Sequence, residues 1–154
     1  GQEHKGFSIL MGELQRERLA IAVSAIGAAE GVLHNTVEYV KERKDFGKSI
    51  AEFQNTKFTL AEVATEVKMN RAFIEQCKRQ FMRGELSVAD ASMAKYASTE
   101  MQYRIADQCL QLHGGYGYMK EYGVSRAYLD ARVQRIYGGT NEIMKEIIGR
   151  DVLK

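Results

Sequence analysis

The chain has 154 residues, of which 45% are hydrophobic and 27% charged, and its net charge is +2. That composition excludes an intrinsically disordered chain, and so small a charge gives no ground for a nucleic-acid partner. The length suits one domain, 1–154, with a core of its own. Two cysteines, Cys77 and Cys109, fall in apolar helical stretches without metal or redox spacing, which reads as reduced core thiols in a reducing compartment. No apolar run approaches the length expected of a membrane span, no signal-peptide pattern opens the chain, and Gly1 reads as a remnant of expression.

There is no proline, and the fourteen glycines gather mainly at a few sites, so long uninterrupted helices are expected. The first runs from about Phe7 to about Arg43. Its stripe is Ala22, Ala25, Ala29, Val32, Thr36 and Val40, small residues that let a neighbouring helix come close, and Gly47 follows as a stop. The second starts near Ser49 and ends at Arg83 before Gly84. Leu60, Ala64, Val67, Ile74, Cys77 and Phe81 share one face, interrupted by Asn70 and Arg71 as if at a polar contact. The third begins at Ser87, an N-cap with Asp90 three residues on, and carries Ala94, Ala97, Met101, Ile105, Cys109 and Leu112. Gly114-Gly115 stops it. A shorter piece covers Glu121 to Arg132, and Thr140 opens a last helix with Ile143, Ile147 and Ile148 apolar. No stretch alternates long enough for a strand. The fold class is therefore all-α: an antiparallel up-and-down bundle of long helices, four-helix-bundle-like, with a short extra helix.

A ferritin-like metal bundle needs paired Glu-x-x-His sequences, and none of His4, His34 and His113 completes one, so no metal is expected. Gly114-Gly115-Tyr116-Gly117 follows no strand and is no dinucleotide fingerprint. Taken singly, Arg43 to Lys48 is a solvated charge cluster, Gly114-Gly115 a helix stop, and Thr140-Asn141-Glu142 an N-cap with an acidic first turn.

Taken in order, three segments say more. Arg43-Lys44-Asp45-Phe46-Gly47-Lys48 with Phe53-Gln54, then Gln111-Leu112-His113-Gly114-Gly115-Tyr116-Gly117-Tyr118, then Arg135-Ile136-Tyr137-Gly138-Gly139-Thr140-Asn141-Glu142-Ile143 together resemble the C-terminal domain of the acyl-CoA dehydrogenases. The resemblance runs from Gly6-Phe7 to Arg150. It implies an FAD enzyme, built as a homotetramer or less often a dimer. An N-terminal helical domain and a middle β-domain would precede this bundle. It implies an acyl-CoA substrate, from which a carboxylate takes the α proton while the flavin takes a hydride from the β carbon. An electron-transferring flavoprotein would be the redox partner, in bacterial cytoplasm or the mitochondrial matrix.

The resemblance also assigns roles. Arg43 would pair with the cofactor pyrophosphate of a neighbouring subunit, Gln54 would hydrogen-bond the same cofactor, and Phe46 would pack on it. Gln111, Leu112, His113, Gly114 and Gly115 would bring backbone close to the cofactor, and Thr140, Asn141 and Glu142 would offer it a helix N-terminus. Tyr137, Gly138 and Gly139 would border the thioester, with Gln15 and Arg18 on the other side. Many members carry the catalytic glutamate at the position of Gly138. A minority branch, including the long-chain and isovaleryl enzymes, carries it on the first helix, where Glu17 matches. The smaller residue at 138 would make room for that carboxylate, the backbone N–H of Gly138 would bind the thioester oxygen, and burial would raise the Glu17 pKa. Ser8 stands where long-chain members can carry a tyrosine near the substrate. The alternatives are an acyl-CoA oxidase-like enzyme, or a helical oligomerisation domain that has lost its chemistry.

Overall fold

A computed structural model describes residues 2–154, and Gly1 lies outside the described residues. Five helices carry the fold: α1 (Gly6–Glu42), α2 (Gln54–Met82), α3 (Val88–His113), α4 (Gly123–Gln134) and α5 (Asn141–Val152). A two-residue antiparallel pair, β1 (Lys44–Asp45) and β2 (Lys48–Ser49), sits between α1 and α2. The central element is α3, which contacts all four other helices and packs most extensively on α1. Small residues make that approach possible: Ala22, Ala25 and Ala29 on α1 and Ala91, Ala94 and Ser98 on α3 are all buried. Between them Leu19, Ile26, Met101, Ile105 and Cys109 fill the core with Val63, Val67, Ile74 and Cys77 of α2. Burial pushes the Cys77 thiol up to about 11 and the Cys109 thiol upward too, so both stay protonated.

Several expectations change in detail. The first helix ends at Glu42, not at a glycine stop. Arg43 turns extended, and Gly47 (φ 80°) instead joins Phe46 (φ 48°) in a hairpin turn with two consecutive left-handed residues. A strand pair this short leaves no alternation to read. Ser49 then ties the loop down: its hydroxyl donates to the carbonyls of Val40 and Lys41, accepts from the Ala51 N–H, and completes a capping box with Glu52. That box starts only a single 3₁₀ turn, because Phe53 is extended, and α2 begins at Gln54. On α2 the buried face is Thr56, Val63, Val67, Ile74 and Cys77, while Ala64 and Phe81 face outward. The polar interruption at Arg71 is an inter-helix ion pair with Glu30 of α1. The short helix runs two residues later at both ends than Glu121 to Arg132. On α5 Met144 is buried and Ile143 is half exposed, so packing on α3 rotates the helix away from its most apolar face.

The caps behave as their chemistry requires. Ser87 Oγ accepts from the Asp90 N–H at 2.9 Å, and Thr140 Oγ1 accepts from the Ile143 N–H at 3.4 Å. By length and composition α1 passes for a membrane span, with mean hydropathy 1.2 over its most apolar 18 residues, against the expectation that no apolar run reaches that length. Alanine counts as apolar wherever it points; here α1 lays one face of that stretch against α3.

Candidate functional site

The connection between α4 and α5 makes the first site. Gly138 (φ 65°) and Gly139 (φ 98°) both take left-handed backbone that side-chain-bearing residues avoid. The turn lies directly on α1. A Cβ at 138 would overlap Cδ1 of Ile21, and a Cβ at 139 would come within 3.9 Å of Arg18 Nη2 and 2.7 Å of Met144 Cε. Ile21 is one helical turn beyond Glu17, so the two share a face of α1. The structure thus brings Glu17, Arg18, Gly138 and Gly139 into one neighbourhood, with Tyr137 beside them half exposed. Among the described residues the Gly138 N–H has no hydrogen-bond partner and is free to donate.

A buried polar network braces the turn from below. Lys95 of α3 is fully buried, and its Nζ donates to the Gly139 carbonyl at 2.8 Å and to Asn141 Oδ1 at 2.7 Å. Asn141 Nδ2 donates to Glu100 Oε1 at 2.9 Å and to Thr99 Oγ1 at 3.1 Å, and Arg135 Nε donates to the same Glu100 oxygen at 2.9 Å. Burial pushes the Glu100 carboxyl up, but the bonds from Asn141 and Arg135 outweigh it and the pKa ends below the ordinary carboxylate value.

Three expected roles need correction. Asn141 cannot offer a cofactor its N–H at the helix start, because that N–H donates to the Arg135 carbonyl at 3.0 Å, and its side chain, 1% exposed, is consumed inside the protein. Arg18 is 6% exposed and is no surface charge: Nη1 donates to Ser92 Oγ at 3.3 Å, Nε is buried without a partner, and no ion pair joins it to Glu17 among the described residues. Burial lowers its pKa, and the neighbouring Glu17 carboxylate works the other way. Glu17 itself is exposed, so this chain does not supply the burial expected for it. Lys95, Thr99, Glu100 and Ile21 were missed by sequence reasoning. The available signal was position: Lys95 falls four residues after Ala91 and three before Ser98, squarely on the buried stripe of α3.

The second site is a cleft of about 600 Å³ lined by Tyr39, Arg43, Asp45, Ile50, Gln111 to Tyr116 and Met119. Here the structure joins Arg43 to the Gln111–Gly115 segment, whereas Gln54 at the start of α2 and the exposed Phe46 do not line it. Aromatic rings stack through its wall: Tyr39 on His113 at 4.1 Å and Tyr116 on Tyr122 at 5.0 Å, with the Arg43 guanidinium over Tyr116. The His113 ring is buried with Nδ1 bonded to the Cys109 carbonyl, and its backbone carbonyl accepts from the Tyr39 hydroxyl at 3.3 Å, so the residue braces the wall of the cleft. No atom lies within 4 Å of a Cβ placed on Gly114 or Gly115, which leaves open space beside an arginine without a carboxylate partner among the described residues. That combination fits the phosphates of a dinucleotide such as FAD. The two sites are 26 residues apart along α1, which at 1.5 Å per residue is about 39 Å. No cluster of three or more histidine, cysteine or carboxylate residues able to hold a metal occurs among the described residues.

The family model for the acyl-CoA dehydrogenase C-terminal domain matches residues 4–153. The chain belongs to the acyl-CoA dehydrogenase family. It is 52% identical over 153 residues to the mitochondrial long-chain specific acyl-CoA dehydrogenase of Sus scrofa, covering 99% of this chain and 36% of that protein. Superposed on the acyl-CoA dehydrogenase crystal structure from Geobacillus kaustophilus, it gives a TM-score of 0.96 at 49% identity, over 99% of this chain and 40% of that one. A solved structure described as the FAD complex of PigA matches with a TM-score of 0.90 at 28% identity, over 99% of this chain and 40% of that one. The chain therefore spans about two fifths or less of the length of these proteins, and the all-α class read from its periodicity is that of the C-terminal domain it matches.

Proposed function

We propose that this chain supplies the base and the thioester-oxygen donor of an FAD-dependent acyl-CoA dehydrogenase, which converts acyl-CoA to trans-2-enoyl-CoA. The observation that carries the reading is the seat of Gly138 against Ile21, one turn from Glu17. What supports it is that the exposed Glu17 carboxylate lies one helical turn from the residue on which the Gly138 turn rests, and that the Gly138 N–H has no partner among the described residues. An α proton of a thioester is weakly acidic, so its removal needs both groups at once. Glu17 takes the proton; the Gly138 N–H holds the oxygen on which negative charge develops. Position 138 has no room for a side chain on this backbone, since Ile21 Cδ1 already fills the place of its Cβ. Flavin, when bound, accepts the hydride from the β carbon.

The cleft at the other end of α1 would hold the pyrophosphate side of the cofactor with Arg43 and the backbone of Gly114 and Gly115, Gln54 and Phe46 joining from outside the cleft. The separation of about 39 Å along the helix favours a cofactor that lies against a neighbouring subunit, and hence a homo-oligomer, a tetramer in this reading. Acyl-CoA as substrate, an electron-transferring flavoprotein as acceptor and a mitochondrial or bacterial cytoplasmic setting complete the reading. A panel of acyl-CoA esters with dye reduction as readout, on the full-length enzyme, tests it. Saturated acyl-CoA esters should reduce the dye and yield the 2-enoyl product, and no reduction with any of them would sink the reading. Rapid oxygen consumption without the flavoprotein partner would point to the oxidase alternative.

A further inference from the structure

Lys95 is an expensive residue in its place. Packing alone would be served as well by methionine, because an ammonium taken out of water costs several kcal/mol unless its donors are met. It has no carboxylate within ion-pair distance among the described residues and spends its donors on two neutral oxygens, those of Gly139 and Asn141. The charged groups facing it are Arg18 from α1, Glu100 on α3, Arg135 before α5 and Glu142 on α5. Burial pushes its pKa down to about 8, which still leaves it protonated at neutrality.

What Lys95 holds is a turn of two consecutive left-handed glycines, neither with a Cβ of its own to limit φ and ψ. The Gly139 carbonyl is clamped from below by Lys95, and the Asn141 N–H is fixed behind it on the Arg135 carbonyl at 3.0 Å. Asn141 is itself locked by Glu100, and Glu100 by Arg135. We propose that Lys95 is a positioning residue for the reaction: by clamping the Gly139 carbonyl and Asn141 it sets the direction of the free Gly138 N–H, and thus the donor strength offered to an enolate oxygen. The inference rests on the dehydrogenase reading above.

The test compares two ligands on the full-length holoenzyme. One is a saturated acyl-CoA, bound in its ground state. The other is a 3-oxoacyl-CoA, whose enolate reports its own binding by absorbance. A positioning role makes the ratio of their affinities the readout. In Lys95→Met the enolate ligand should lose about tenfold or more, the worth of one well-aimed donor to an oxyanion, while the saturated ligand stays within about threefold. Lys95→Gln keeps one donor on a shorter stem, and its ratio should fall between the two. Equal weakening of both ligands would assign Lys95 to packing and overturn the proposal. If Lys95→Met does not fold, the Gln variant decides alone, and failure of both to fold overturns the positioning role as well. If the parent enzyme binds neither ligand, the dehydrogenase reading fails first, and this inference with it.

Discussion

The two ends of α1 solve opposite problems. At the Gly138–Asn141 end the turn is braced inside the chain, with Lys95, Thr99 and Asn141 buried and the half-buried Glu100 and Arg135 closing the network at its edge. At the Arg43–Ser49 end a two-residue hairpin stands in solvent, and Phe46 at its tip is 89% exposed in a left-handed conformation that such a residue adopts at a cost of about 1 kcal/mol or more. A braced turn can hold a donor to the tolerance that catalysis demands. A solvated hairpin with an exposed aromatic gains its energy only when another surface covers it. The first region is bonded within the chain, and the second leaves an aromatic side chain in solvent.

That contrast predicts large stability effects at one end and binding effects at the other. Asn141→Leu should be the most damaging, because it strips the fully buried Lys95 ammonium of an acceptor and the half-buried Glu100 of a donor. A loss of about 3–5 kcal/mol is expected in denaturant unfolding of the chain. A loss under about 1 kcal/mol would mean that the network is wet and the contrast false. Arg43→Ala should leave unfolding within about 0.5 kcal/mol yet weaken flavin retention by the full-length enzyme by about ten- to a hundredfold, the worth of one charge-assisted contact. Equal flavin loss in Lys44→Ala would reduce the cleft to a general basic patch.

Smaller effects sharpen the picture of the turn. Gly138→Ala should cost about 2 kcal/mol, part from positive φ and part from collision with Ile21. Repeating it in an Ile21→Ala background should recover about half of that cost, and strict additivity in the double-mutant cycle would show that the turn does not rest on α1. The pH dependence has a definite sign. Burial depresses the Lys95 pKa from 10.5 to about 8, so between these values the unfolded chain binds more protons than the folded one. Stability relative to Lys95→Met should therefore rise as pH goes from about 8 to 10.5 and be flat below. A parallel pair of pH–stability curves would show that Lys95 is solvated.

The features legible in the sequence were those with local chemistry. Ser87 with Asp90 and Thr140 before Asn141 announced their helix starts, because a cap acts within one turn. The three ordered segments announced the family, and Glu17 was noticed because Gly138 stands where a glutamate is common. The hairpin was not legible: Gly47 near a helix end looks like a stop, and only the pairing of Lys44 with Ser49 makes it a turn. Lys95 was passed over because a lysine on a helix reads as solvated; its fit to the α3 stripe was the cue, and its partners at Gly139 and Asn141 lie 44 and 46 residues away. Ile143 and Met144 differ in burial because α3 sets the rotation of α5, which no periodicity within twelve residues decides.

Whether Glu17 is the base is decided by rapid mixing of the full-length Glu17→Gln enzyme with saturating acyl-CoA. The amide keeps shape and hydrogen bonding but cannot take a proton. Glu17 is exposed and makes no ion pair among the described residues, so fold and flavin content should be unchanged. Flavin bleaching should slow by about a hundred- to ten-thousandfold, the usual worth of a general base. Bleaching at the parent rate would make Glu17 a surface charge and contradict the account.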